Sequence, residues 1–180
     1  MKTYVALLRG INVGGRNSLP MSELTEILGN LDCRDIRTYI QSGNVVLRTT
    51  KNPNLIARGI TAEVRERRGF EPHVLVLAEH RFAEAIDNNH FSSPGLDSKA
   101  LHLGFLDSVP TAPDTDGLEA LKSPTEKFSL IGQVFYLLAP DGIGRSKLAA
   151  RSEKLIGCPM TDRNWKTVNK VMSMLEALRK

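Results

Sequence analysis

Tyr4-Val5-Ala6-Leu7-Leu8-Arg9-Gly10-Ile11-Asn12-Val13-Gly14-Gly15-Arg16-Asn17 carries an apolar run into a glycine-rich turn, and a helical pattern follows. The run predicts a strand over residues 3–9. Pro20 suits the first turn of a helix that shows Leu24, Ile27 and Leu28 on one face and stops at Gly29-Asn30. Working outward, a second strand over about 35–40 turns at Gln41-Ser42-Gly43-Asn44 into Val45-Val46-Leu47. Ile56, Ile60 and Val64, four apart, predict a helix over Pro53–Arg68 ending at Gly69. Residues 70–78, rich in Val and Leu, predict a fourth strand. The order is βαββαβ, the split unit of ferredoxin-like folds, which makes an antiparallel sheet with helices on one face.

The second half repeats that order. After a connecting helix near 80–88, the loop 89–98 with Ser92-Ser93-Pro94-Gly95 is the predicted boundary, so subdomains are expected over 1–90 and 91–180. A strand (100–106), a short helix (114–121) and a hairpin about Gly132 (126–131 and 133–138) follow. Then come a helix (145–156), an extended piece (158–161) and a closing helix (164–178) with an inner stripe of Trp165, Val168, Met172 and Leu175. Ser42-Gly43-Asn44-Val45-Val46-Leu47 is echoed 89 residues later by Ile131-Gly132-Gln133-Val134-Phe135-Tyr136, and Gly69-Phe70-Glu71-Pro72 more loosely by Cys158-Pro159-Met160-Thr161. The expected fold is therefore α+β: two ferredoxin-like βαββαβ units related by pseudo-duplication, with antiparallel sheets, helices packed on them, and a C-terminal helix.

Composition bounds the function. Of 180 residues, 41% are apolar and 24% charged, the balance of an ordinary globular protein. No apolar stretch approaches the length of a membrane span, and Arg9 cuts the first one at five residues, too short for a signal peptide. Cys33 and Cys158, the only cysteines, imply no disulfide framework, so a reducing, cytoplasmic setting is expected and no membrane partner. The net charge of +4 is unevenly spread: residues 91–142 carry 3 Lys/Arg against 7 Asp/Glu, and residues 143–180 carry 9 against 3. That basic end suits phosphates, or the solvated faces of two helices.

Four polar turns are candidate sites. In the opening turn, Gly10, Gly14 and Gly15 can bring backbone N–H groups up to an anion, flanked by Arg9, Arg16, Asn12 and Asn17; the bland reading is a long connecting loop. Tyr39-Ile40-Gln41-Ser42-Gly43-Asn44 has first of all the chemistry of a hairpin. Asp141-Gly142-Ile143-Gly144-Arg145-Ser146-Lys147 assembles a helix start, two glycines, a hydroxyl and two cations, the parts of a phosphate cradle or simply of a capped helix. In Thr161-Asp162-Arg163-Asn164-Trp165, Asn164 can cap the last helix, Trp165 is expected in the core, and Arg163 can meet an anion or a carboxylate.

Several chemistries are absent. Neither the dinucleotide fingerprint nor the P-loop spacing is present. His73, His80, His90 and His102 form no metal-ligand spacing with the cysteines, and His73 and His102 are expected in strands with structural roles. No G-x-S-x-G elbow or H-E-x-x-H pair appears.

The stretch Tyr4 to Gly15, then Tyr39-Ile40-Gln41-Ser42-Gly43-Asn44-Val45-Val46, closely resembles a bacterial family, number 1697 in the series of domains of unknown function. Gly142-Ile143-Gly144-Arg145-Ser146-Lys147-Leu148 and Arg163-Asn164-Trp165-Lys166-Thr167-Val168 are similar to its later motifs, although Lys166 stands where that family usually has Asn. The resemblance implies an α+β protein of two related ferredoxin-like subdomains. It brings no reaction, ligand, cofactor or catalytic residue.

These readings lead to three expectations. The first is a cytoplasmic protein binding a phosphate-bearing small ligand or nucleotide in a cleft between its halves. Arg9, Asn12, Gly14, Gly15, Asn44, Arg145, Ser146, Lys147, Arg163 and Asn164 would line it. The second is an enzyme on a small phosphorylated or carboxylated metabolite, with Tyr39 or Ser42 handling the proton or acting as nucleophile. The third is a scaffold or oligomerisation module without a ligand. Nucleic acid is a weaker partner, because Val45-Val46-Leu47 offers no strand aromatic for base stacking.

Overall fold

Strands β1 (Lys2–Arg9), β2 (Arg34–Tyr39), β3 (Asn44–Thr49) and β4 (His73–Ala78) pair antiparallel in the order β2-β3-β1-β4. The structure is a computed structural model, and it describes residues 1–179. Helices α1 (Met21–Asn30) and α2 (Pro53–Arg68) lie on one face of this sheet. In β1 the alternate residues Tyr4, Ala6 and Leu8 join a core with Leu24, Ile27 and Leu28 of α1 and Ile56, Ile60 and Val64 of α2. The period of two meets the period of 3.6 there, and each large aliphatic group taken from water contributes about 1.5–3 kcal/mol.

The second sheet repeats the plan. Strands β5 (Leu101–Leu106), β6 (Lys127–Ile131), β7 (Val134–Leu138) and β8 (Met160–Asn164) pair antiparallel in the order β6-β7-β5-β8. Helices α4 (Thr115–Leu121) and α5 (Lys147–Ile156) complete a second βαββαβ unit. Leu106, Leu118, Phe135, Leu137, Leu148 and Ile156 form its helix-side core. Helix α3 (Glu79–Asp87) connects the two halves, and α6 (Trp165–Arg179) closes the chain. By compactness one unit is Met1–Glu84 with the end of α6 from Lys170, and the other is Ala85–Asn169.

The repetition reaches the backbone. Leu8 N–H donates to Gly43 O at 2.8 Å, and Leu106 N–H donates to Gln133 O at 2.9 Å, each where the central strand meets its hairpin. Helices α2 and α5 both end on a left-handed glycine, Gly69 (φ 74°) and Gly157 (φ 73°).

Some boundaries differ from expectation. β4 begins at His73 rather than at residue 70, because Pro72 has no N–H for the ladder. Residues Ile143–Arg145 form a separate 3₁₀ turn, and α5 starts at Lys147 with Ser146 as its cap. The extended piece after Gly157 is the full edge strand β8, Met160–Asn164. In α6 the buried apolar residues are Val168, Val171, Met174 and Leu175, while Trp165 and Met172 are half-buried. The covered arc is thus rotated from the predicted stripe toward Val171 and Met174. On the open edge of the first sheet, β2 loses register between Arg34 and Arg37, where Asp35 takes φ +52°.

Candidate functional site

The opening turn of the first unit is a miniature hairpin. Arg16 N–H donates to Val13 O and Asn12 N–H to Asn17 O, both at 2.9 Å, and Gly14 (φ +56°) and Gly15 (φ +75°) form its tip. Two consecutive left-handed residues are what a tight two-residue hairpin demands, so these glycines serve the turn. Asn12, itself at φ +52°, spends its amide on the chain: Nδ2 donates to Leu19 O (2.9 Å) and Gln41 O (2.7 Å), and Oδ1 accepts from Leu19 N–H (2.8 Å). Asn17 Nδ2 donates to Gly10 O at 2.7 Å.

The Asn12–Gln41 bond ties this turn to the β2–β3 turn. There the buried Asn44 Nδ2 donates to Ser42 Oγ (2.9 Å) and Tyr39 O (3.2 Å). Two predicted turns therefore do meet, through side chains that hold the backbone. Arg9 is exposed at the end of β1, opposite His73 of β4.

In the second unit, the 139–147 turn borders a pocket of about 510 Å³. Lys122, Ser123, Glu126, Asp141, Gly142, Arg145, Ser146 and Lys147 contribute its polar lining. Ser146 Oγ accepts from Ala149 N–H at 2.9 Å and caps α5. The N–H groups of Lys147 and Leu148 have no hydrogen-bond partner among the described residues, as expected in the first turn of a helix. Arg145 and Lys147 have no ion-pair partner among the described residues either. The remaining charges are engaged: Lys122 pairs with Glu119, Glu126 Oε2 accepts from Ser123 N–H (2.9 Å), and Asp141 Oδ2 accepts from Thr125 Oγ1 (2.5 Å).

Arg163 and Asn164 do not line this pocket. Asn164 Oδ1 accepts from Thr167 N–H at 2.9 Å and caps α6, as its position before the helix predicts. Arg163 Nη1 donates to the Asp162 carbonyl at 2.7 Å. Burial pushes its guanidinium down to about 10 against the pull of the Asp162 charge, so it stays a cation at neutral pH.

One pair escaped the sequence reading. His102 on β5 is only 7% exposed; its Nδ1 lies 2.8 Å from Asp162 Oδ2 on β8, and its Nε2 lies 3.0 Å from Lys99 O. Both contacts are to acceptor oxygens, an arrangement that favours the doubly protonated ring. Burial works against that charge, and the hydrogen bonds with the Asp162 charge outweigh it, leaving the pKa above the ordinary imidazole value. The two residues are 60 apart in sequence, and only the β5–β8 register joins them. Lys122 and Glu126 were missed for a similar reason, lying on the segment between α4 and β6, away from every glycine-rich motif. No group of acidic, Cys and His side chains suited to a metal occurs among the described residues, nor any helix long and apolar enough to cross a membrane.

A family model described as "Protein of unknown function (DUF1697)" matches residues 1–136. That span holds the opening turn and the β2–β3 turn but stops before the 510 Å³ pocket is complete. Among solved structures, the conserved bacterial protein SP0830 from Streptococcus pneumoniae is similar in fold. Its TM-score is 0.71 at 23% identity, over 97% of this chain and 98% of that one. No curated protein matches the chain.

Proposed function

We propose, for a chain that belongs to the DUF1697 family of proteins of unknown function, that the pocket at the start of α5 binds a phosphate-bearing small ligand or nucleotide. The observation that carries this reading is the conjunction in one pocket of two cations without ion-pair partners among the described residues, Arg145 and Lys147, with the Lys147 N–H at a helix start, likewise unpaired among them. A phosphoryl group placed there meets donors and positive charge together. Glu126 and Asp141, on the same wall, suit the hydroxyl groups of a sugar phosphate or nucleotide, because a carboxylate oxygen already holding one donor can accept another.

The first-unit residues Asn12, Gly14, Gly15 and Asn44 stand outside this proposal, their amides and φ angles being used by the turns themselves. Buried, unpaired Cys33 and Cys158 agree with a reducing, cytoplasmic setting.

Calorimetric titration with ribose 5-phosphate, AMP and inorganic phosphate tests the reading, with wild type beside an Arg145→Ala/Lys147→Ala double variant. Losing charge-assisted bonds of about 1.5–3 kcal/mol each weakens binding by roughly tenfold or more per bond. The dependence on ionic strength flattens as well. Equal affinity in wild type and double variant, or no binding of any of the three, overturns it.

A further inference from the structure

Adjoining the cationic pocket at Ser146, which lines both, lies a second pocket of about 270 Å³. Its walls are Phe135 and Leu137 of β7, Ile143 and Gly144 of the turn, Ala149 and Ala150 of α5, and Met160 of β8. Gly104 on β5 creates part of it: a Cβ there would collide with the Met160 thioether, so the missing side chain lets Met160 lie against the sheet. Phe128 packs against Phe135 with ring centroids 5.7 Å apart, backing the aromatic wall.

The polar groups in this apolar lining are few. Ser152 Oγ donates to Ala149 O at 3.0 Å and is satisfied within its own helix. Ser146 Oγ accepts the capping N–H, while its own hydrogen has no partner among the described residues. Asp162 gives Oδ2 to His102 and keeps Oδ1 without a partner among the described residues. His102 holds Oδ2 at 2.8 Å, so the pocket offers Oδ1 as a fixed acceptor whose carboxylate already has a partner behind it. An engineered cavity of about 150 Å³ holds benzene, so 270 Å³ suits two fused rings.

We infer that this pocket binds a neutral, mainly apolar heteroaromatic ring system carrying one N–H donor and one ring-nitrogen acceptor. The N–H is directed to Asp162 and the ring nitrogen receives the Ser146 hydroxyl. Phe135, Met160 and Ile143 supply the apolar contact. The site uses neither Arg145 nor Lys147 and shares only Ser146 with the phosphate pocket, so its contacts do not draw on that pocket's cations.

The test is ¹H–¹⁵N NMR titration of the full chain in phosphate-free buffer with benzimidazole and with 1-methylbenzimidazole. The expected result is saturable shifts at Ile143, Gly144, Ala149 and Met160 with benzimidazole at up to about 10 mM, in the weak range of small fragments. The methylated probe, lacking the N–H, should bind about tenfold or more weakly. An Ala150→Leu variant, which fills the pocket from an exposed helical position and leaves Asp162 and His102 in place, should abolish the shifts while its spectrum stays folded. Equal binding of the two probes removes the donor assignment. Shifts that persist in Ala150→Leu remove the location, and a lack of shifts in wild type overturns the inference outright.

Discussion

Replacing Gly43 by alanine should be among the most damaging small changes in the first unit. Gly43 sits at φ +75°, where an L side chain costs about 1–2 kcal/mol. Its added Cβ would lie 2.6 Å from Leu8 Cβ, 2.9 Å from Ile11 Cδ1 and 3.4 Å from Leu8 Cα. The end of the Ile11 side chain can swing aside, but Leu8 is fully buried in the central strand and bonded through its N–H to Gly43 O. Relief therefore requires the β2–β3 turn to move off β1, and forced overpacking of that kind costs about 1–3 kcal/mol. Together the terms come to about 2–5 kcal/mol, a fall of roughly 4–20 °C in Tm for a chain of this size. Gly14→Ala is the control, since φ is +56° there and the new Cβ would meet nothing within 4 Å, leaving only the conformational cost. Urea unfolding followed by circular dichroism, with matched thermal melts, measures both variants. A Gly43→Ala protein no less stable than Gly14→Ala would refute the claim that contact with Leu8 adds to the backbone strain.

Asn12→Ala removes three hydrogen bonds of 2.7–2.9 Å and should destabilise by about 2–4 kcal/mol; faster hydrogen exchange at the Leu19 amide would locate the loss, and unchanged exchange there would contradict it. The His102–Asp162 pair makes stability depend on pH. Because the folded pKa is raised above the ordinary 6.5, its contribution is full below pH 6.5 and is lost as pH rises through the folded value. Chemical denaturation across pH 5.5–8.5 should therefore show wild type losing stability relative to His102→Asn as pH rises, and a constant difference would contradict the raised pKa.

Much of the fold was legible because its signals are local. Helix α2 runs over Pro53–Arg68 as predicted: Asn52 accepts the Asn54 N–H, Pro53 fills the first position and Gly69 takes the left-handed exit. The helix that starts near Arg145 was less clear, because Arg145 belongs to a 3₁₀ turn and the capping hydroxyl of Ser146 sets the α-helical start one residue later. The opening turn reads in sequence as an anion cradle because glycine is ambiguous: the same freedom of φ serves a ligand or a tight hairpin. The partners of Asn12, at Leu19 and Gln41, show that its side chain serves the turn, and no local pattern announces them. The Asp162 pocket had no signal at all, since Phe135, Ile143, Ala149 and Met160 are ordinary core residues along the chain and become a lining only through the β7–β5–β8 order and the placing of α5.

The broken register of β2 bears on how copies of the molecule behave toward one another. An open sheet edge is a template on which a second chain can continue the ladder. Here Asp35 interrupts that template one residue in, and the paired run from Arg37 to Tyr39 is only three residues long. Arg34 and Arg37 also stand exposed on the strand, so an incoming edge of the same sequence would bring like charges together. The irregularity thus shortens the ladder that a second copy could extend, one of the features by which sheet edges resist edge-to-edge pairing, at the cost of a few ladder bonds.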